Sequence, residues 1–226
     1  MRVTGVDACR RGWVAVTLEA SGRAQLPRLA CVRMHESLAS VLGLAPDPAR
    51  VVGIDMPLGL LESGWRQADR TARGLLGPRR SSVFAIPPRA VWAQESYPAA
   101  NQRCRELTGQ GFSVQAWGLR AKLLEANRYR EACQHPMYEV HPELAFGAMA
   151  GTPLADSKHT TAGLERRRDL LALAGIGPVT KAAPVTDTLD AAAVAWSAWR
   201  IATGQAIVLP DQPQRDSRGR EIAIRY

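Results

Sequence analysis

Three acidic stretches stand far apart in this chain, each at the edge of an apolar run: Val3-Thr4-Gly5-Val6-Asp7, Val51-Val52-Gly53-Ile54-Asp55, and Asp187-Thr188-Leu189-Asp190 opening into Ala191-Ala192-Ala193-Val194-Ala195-Trp196. An aspartate placed where a buried strand or helix begins or stops is held rigidly yet reaches solvent, which is what metal-assisted phosphoryl transfer requires. Two divalent ions about 3.5–4 Å apart, shared by three or four carboxylates, activate a water and stabilise the leaving oxygen of a phosphodiester. Oxygen-only ligation selects Mg²⁺ or Mn²⁺ over zinc. The expected metal ligands are Asp7, Asp55, Asp187 and Asp190, and the expected catalytic set is Asp7, Asp55, Asp190 and Glu139. A plain structural role competes at the third stretch, where Asp187 could cap a helix and Asp190 could face the dipole of its first turn. The ends of buried strands offer Asp7 and Asp55 no such role.

The segment Tyr138-Glu139-Val140-His141-Pro142-Glu143 puts Glu139, His141 and Glu143 on one side if the strand continues through Pro142. Glu139 is then a fourth ligand or a proton-transfer group, and His141 contacts substrate. Phosphate is expected to meet Arg10, Arg79, Arg80, Ser81, Ser82, Arg89 and Lys122 as well.

To position these side chains the chain needs strands that end on the acids. Arg2–Asp7, Trp13–Glu19 and Leu29–Val32, separated by turn residues, read as an antiparallel meander. His35–Leu44 has helical spacing. Val51–Ile54 is wholly apolar and short, as in a central parallel strand buried on both faces. Helices are expected over Trp65–Leu76, Ser96–Leu107, Val114 to about Ala132 with Ser113 as N-cap, Gly163–Leu173 and Thr186–Ala202. Ser81–Arg89 is too rich in proline for either regular structure. Met137–Val140 is the next strand, and Glu221–Tyr226 an edge strand. The order predicts an α/β fold with one mixed sheet, flanking helices and a basic helical insertion at about 62–133, in a single domain spanning 1–226.

The 226 residues are 46% hydrophobic, enough for one substantial core. No apolar run approaches the roughly 18 residues of a membrane span, and no charged-then-apolar leader opens the chain, so no membrane partner and a cytoplasmic location are expected. Cys9, Cys31, Cys104 and Cys133 include no Cys-x-x-Cys pair and are expected to be reduced and mostly structural. Of the net charge of +8, +7 falls between Trp65 and Ala132, where twelve Lys/Arg face five acids. A basic block beside an acidic site is how a polyanion is drawn toward bound cations, although for a charge run taken alone a solvated basic helical surface is the better reading. The expected partner is DNA or RNA, and a homo-oligomer is compatible with the sequence.

Taken together, Gly5-Val6-Asp7-Ala8-Cys9-Arg10-Arg11-Gly12-Trp13, Gly53-Ile54-Asp55-Met56-Pro57-Leu58-Gly59-Leu60, Ser81-Ser82-Val83-Phe84 with Pro87-Pro88-Arg89, Ser113-Val114-Gln115-Ala116-Trp117, Glu139-Val140-His141-Pro142-Glu143 and Asp187-Thr188-Leu189-Asp190-Ala191 resemble the predicted RNase H-like nuclease family catalogued as a domain of unknown function. The resemblance covers nearly the whole chain and implies an RNase H-like fold. Its last motif is similar to the terminal helix of Holliday-junction-resolvase-type members, which implies metal-binding roles for Asp7, Asp55, Asp187 and Asp190. The reading is a Mg²⁺- or Mn²⁺-dependent nuclease. The alternatives are a non-catalytic nucleic-acid or nucleotide binder and a small-molecule phosphotransferase or phosphohydrolase. Actin-like sugar and acetate kinases share such a sheet, but they need glycine-rich phosphate loops and a second domain, which this chain lacks. No Walker loop, zincin helix, dinucleotide glycine motif or Gly-x-Ser-x-Gly elbow occurs.

Overall fold

A computed structural model describes residues 1–22, 25–43, 51–132, 136–179 and 183–226. Strands β1 (Arg2–Cys9), β2 (Gly12–Glu19) and β3 (Arg28–His35) form the expected meander, followed by α1 (Leu38–Leu42) and β4 (Val51–Asp55). Then come α2 (Gln67–Leu76), a 3₁₀ turn (Gly77–Ser82), α3 (Arg89–Trp92), α4 (Tyr97–Thr108), α5 (Val114–Gly118) and α6 (Arg120–Ala132). The chain continues through β5 (Met137–Val140), α7 (Pro142–Ala150), α8 (Thr161–Leu173), α9 (Val185–Thr203), β6 (Val208–Arg215) and β7 (Glu221–Arg225). Leu44 and Cys133 lie outside the described residues; Cys9, Cys31 and Cys104 are free thiols.

The sheet order is β3-β2-β1-β4-β5-β7-β6. The pairs β1–β4, β4–β5 and β5–β7 are parallel, and the rest are antiparallel. This is an α/β fold with one mixed seven-stranded sheet. Strand alternation divides the interior into two layers. On one face Val3, Val14, Val16 and Leu18 pack with α7, α8 and α9. On the other, Val6, Trp13, Ala15, Val52 and Ile54 pack with α1 and with residues of the 62–133 segment, including the Trp92, Phe112 and Trp117 rings. That segment is therefore the cover of one sheet face. Glu125 secures it, accepting from the Trp13 indole at 3.1 Å and from the Leu38 backbone N–H at 2.6 Å.

Three expectations about elements are corrected. The helix over Val114–Ala132 is two pieces that meet at Leu119, although Ser113 caps the first as expected, accepting from Ala116 N–H at 3.2 Å. Pro142 does not interrupt a continuing strand. It occupies the first turn of α7, where a missing N–H costs nothing. Glu221–Arg225 is an inner strand, because β6 lies outside it as the true edge. Among the described residues no helix is long and apolar enough to cross a membrane.

Helix α9 lies directly on the sheet, and Gly5 is where it touches. A Cβ there would sit 2.0 Å from the Ala195 backbone nitrogen and 2.3 Å from the Ala191 carbonyl oxygen. Gly5→Ala should therefore lift the helix off β1 and cost at least about 3 kcal/mol in urea unfolding. Gly74→Ala, in α2 with nothing within 4 Å of the new methyl, should instead be neutral or stabilise by about 0.5–1 kcal/mol. Equal effects of the two substitutions would remove Gly5 as the point of contact.

Candidate active site

Asp7 and Asp55 are register partners at the carboxyl ends of adjacent parallel strands, where open α/β sheets place their sites. Both share a sheet face with Gly5 and Gly53, the face covered by α9. Two residues of strand advance about 6.6 Å and four residues of helix about 6 Å. By that measure the stretch of α9 just before Ala191 lies toward the strand ends, and Asp190 there is close enough to raise both Asp7 and Asp55. Asp190 is 1% exposed. Its Oδ2 accepts from Lys158 Nζ at 2.5 Å, while Oδ1 has no partner among the described residues. No hydrogen bond or ion pair among the described residues engages the carboxylate of Asp7 or Asp55.

Asp7, Asp55 and Lys158 line a cavity of about 410 Å³, also walled by Glu139, His141, Glu143 and Phe84; Asp190 stands outside the wall and is linked to it through Lys158. Burial pushes the Asp7 carboxyl well above the usual range, and Asp55 and Asp190 push it further, with Asp187 adding a smaller push; Lys158 opposes them. Asp55 is pushed up to about 8, by burial first and then by Asp190. Burial likewise raises Asp190 against the pull of Lys158. Burial alone would lower the Lys158 ammonium, but Asp190, with Asp55 and Asp7 behind it, carries it above an ordinary lysine. Burial lowers His141, whose ring is neutral near pH 7; Nε2 donates to the Ser82 carbonyl at 3.2 Å, and the buried Nδ1 is left as an acceptor without a partner.

Glu139 reaches the cavity wall with its carboxylate already engaged. Arg66 donates to its two oxygens at 2.7 and 2.5 Å, and Leu58 N–H donates at 2.7 Å. Arg66 also lies 3.3 Å from Asp69, whose Oδ2 accepts from Ile86 N–H at 2.9 Å. Burial outweighs the guanidinium at Asp69 and pushes it up to about 7. This network clamps the segment after β4 against β5, so the expectation of Glu139 as a ligand or proton shuttle gives way to a positioning role.

Of the other expected residues, Arg79, Ser81, Ser82 and His141 line the cavity. Arg79 also donates to the Ala155 carbonyl, and Ser82 Oγ donates to the Arg79 carbonyl at 2.8 Å. Arg10 lines a separate depression beside Met34 and His35. Arg80 is exposed outside the cavity wall. Arg89 bridges Glu62 at 3.4 Å and Glu131 at 3.0 Å, and Lys122 lies 4.6 Å over the Trp13 ring, so both are structural. Asp187 stands outside the wall, with the Thr186 hydroxyl donating to it at 3.1 Å. The basic segment thus contributes Arg79 to the cavity and uses most of its other cations internally.

Sequence reasoning missed Lys158, which sits between α7 and α8 where no periodicity marks it. It also left Glu143 uncommitted. Glu143 Oε1 accepts from the fully buried Arg167 at 2.7 Å, and Arg167 donates to Gly163 at 2.9 Å and to the Asp156 carbonyl at 3.3 Å, steadying the loop that carries Lys158.

Among the described residues no three His, Cys, Asp or Glu side chains converge closely enough to hold a metal ion, so the four-carboxylate cluster is not present as such. The Asp7–Asp55 pair still fits Mg²⁺ or Mn²⁺ by donor chemistry, since Mg²⁺ keeps several waters and binds through one or two carboxylates. The unpartnered Asp190 Oδ1 beside the pair adds acceptor capacity.

A carboxyl raised in the folded state binds a proton there that it releases when unfolded, so it favours folding at low pH and loses that contribution as pH rises through the folded value. In EDTA, Tm should fall by on the order of a few degrees between about pH 4 and pH 8 through Asp55. Asp55→Asn should flatten that fall, and Mg²⁺ should oppose it in the wild type. A wild-type Tm that rises across the same interval, with Asp55→Asn unchanged, would contradict the buried-pair electrostatics.

No curated protein and no solved structure matches the chain. Residues 5–215 match the family described as Protein of unknown function (DUF429), which spans both strand-end aspartates and α9. The chain belongs to the DUF429 family.

Proposed function

We propose that this protein is a metal-dependent phosphodiesterase of the nuclease class on an RNase H-like sheet, with Asp7 and Asp55 holding Mg²⁺ or Mn²⁺. One observation carries the reading: a buried carboxylate, Asp7, and a half-buried one, Asp55, stand side by side near the ends of parallel strands, without partners among the described residues, and Asp190 of α9 is close enough to raise both. Buried, unpaired acids destabilise a fold and are retained where a cation or a reaction uses them. The aspartates on the first and fourth strands and on the terminal helix also fit the arrangement that the sequence resemblance implies.

The ion would supply Lewis acidity and a water of lowered pKa. The chain's own residues do the rest. Asp7 and Asp55 fix the ion against the sheet, and Arg79 and Lys158 draw a phosphate into the cavity. His141 Nδ1 is an available acceptor for a proton at the cavity wall. Arg66 and Glu139 keep the segment after Asp55 in place.

A second reading, a small-molecule phosphohydrolase using the same acids, is favoured by the cavity itself. A volume of about 410 Å³ suits a small ligand, and most cations of the basic segment lie outside it.

Single-stranded DNA, RNA and bis(p-nitrophenyl) phosphate, each tested with Mg²⁺ and with Mn²⁺, separate these readings. Cleavage of polymer is expected, and Asp7→Asn should lower it by about 10²-fold or more with circular dichroism unchanged, since loss of the ion removes several kcal/mol of transition-state stabilisation. Turnover of the small ester alone would select the phosphohydrolase. Binding of nucleic acid without any turnover would leave a binding protein.

A further inference from the structure

We propose that Lys158 is the second cation of this site: its ammonium, seated on Asp190, takes the place that a second metal ion would occupy, so that the centre holds one divalent ion at Asp7 and Asp55. The proposal rests on the metal-dependent reading of those two aspartates and goes beyond it by fixing the number of ions and assigning a residue.

Geometry supports it first. Nζ lies 2.5 Å from an aspartate that is 1% exposed, while the lysine side chain itself remains 36% exposed toward the cavity. An ammonium has three donors, and Asp190 takes one, which leaves two for the non-bridging or leaving oxygen of a phosphate. In a two-ion centre the second ion neutralises that oxygen; a fixed ammonium supplies the same charge as a point donor.

Placement of the lysine is built into the fold. Thr160 donates to the Ser157 carbonyl through its hydroxyl at 2.9 Å and through its N–H at 3.1 Å. The same hydroxyl accepts from Gly163 N–H at 3.1 Å. A Cβ on Gly163 would lie 1.9 Å from the Ser157 carbonyl oxygen, so the loop before Lys158 is pressed onto the start of α8. Arg167 holds Asp156 from beneath. A lysine carried on so restrained a backbone delivers its charge without a large ordering cost.

The charges also balance. Glu139 and Glu143 are neutralised by the buried guanidiniums of Arg66 and Arg167. Asp69, left over once Arg66 is set against Glu139, is offset by Arg79 on the same wall. That leaves Asp7, Asp55 and Asp190 with three negative charges, which one ammonium and one divalent ion cancel. Two divalent ions beside a fixed lysine would leave the buried centre positive.

Mn²⁺ titration followed by electron paramagnetic resonance tests this in the wild type, Lys158→Met, Lys158→Arg and the double variant Lys158→Met/Asp190→Asn. The wild type and Lys158→Arg should bind one ion. Lys158→Met should bind two, with a metal-induced rise in Tm larger than that of the wild type, because Asp190 is then uncompensated. If that variant does not fold, the double variant, which removes the buried charge together with its partner, should fold and bind one ion. Two ions in the wild type overturn the Lys158 assignment and leave the metal reading intact. One ion in a folded Lys158→Met, or two in the double variant, also overturns it. No ion bound to the wild type overturns the metal reading of Asp7 and Asp55, and the assignment with it.

Discussion

The close approach of α9 to β1 and β4 is the constraint on which the rest depends. Residues Ala191–Ala193 and Ala195 keep the helix thin, and Gly5 and Gly53 keep the sheet thin beneath it. Backbone then meets backbone where most helix–sheet contacts keep a layer of side chains between them. That intimacy sets the depth of Asp190 relative to Asp7 and Asp55. With a larger residue at Gly5 the helix would stand off, carrying Asp190 and the lysine it holds away from Asp7 and Asp55.

Around this contact the protein manages an unusual load of interior charge. Arg66 and Arg167 are among its largest fully buried side chains. Each is matched to a glutamate on the cavity wall, and each also holds a chain segment flanking the site. Buried ion pairs rarely add stability relative to apolar packing, but breaking one is costly, so they act as geometric pins. One pins the stretch after β4, the other the loop before α8. Asp7 and Asp55 have no such partner among the described residues, and the contrast within one cavity separates positioning charges from available ones.

Much of this was legible in the sequence because strands and helices announce themselves by period. The Val-rich runs ending at Asp7 and Asp55 placed both acids at the same carboxyl-end edge of adjacent parallel strands, where the register puts them. Where local signals conflict with position in the fold, reading failed. Pro142 reads as a strand breaker, yet it starts α7, and Leu144, Ala145 and Phe146 behind it are core. Pro210 and Pro213 argue against a strand, yet an edge tolerates them in β6. The charge surplus of 65–132 suggested a nucleic-acid wall, but composition does not say what a guanidinium touches. Arg73 donates to the Val83 carbonyl at 2.6 Å and Arg120 to the Trp92 carbonyl at 2.9 Å, so these cations stitch their own segment together. Lys158 was invisible for the opposite reason, since a single lysine in a loop gains meaning only from Asp190, thirty-two residues away.

The docking of α9 onto β1 also sets the order in which the molecule can become competent. Asp7 lies on the first strand described and Asp190 on α9, with β2–β5 and α1–α8 between them, so their meeting closes a long loop. During synthesis β1, β2 and β3 can pair early, but the face of β1 that carries Gly5 and Asp7 stays uncovered until α9 has been made. The nascent chain therefore carries half a site from the emergence of β1 until that of α9, with an apolar strip of β1 and β2 open to solvent or to a chaperone, and Asp190 meets the strand aspartates only when the helix docks.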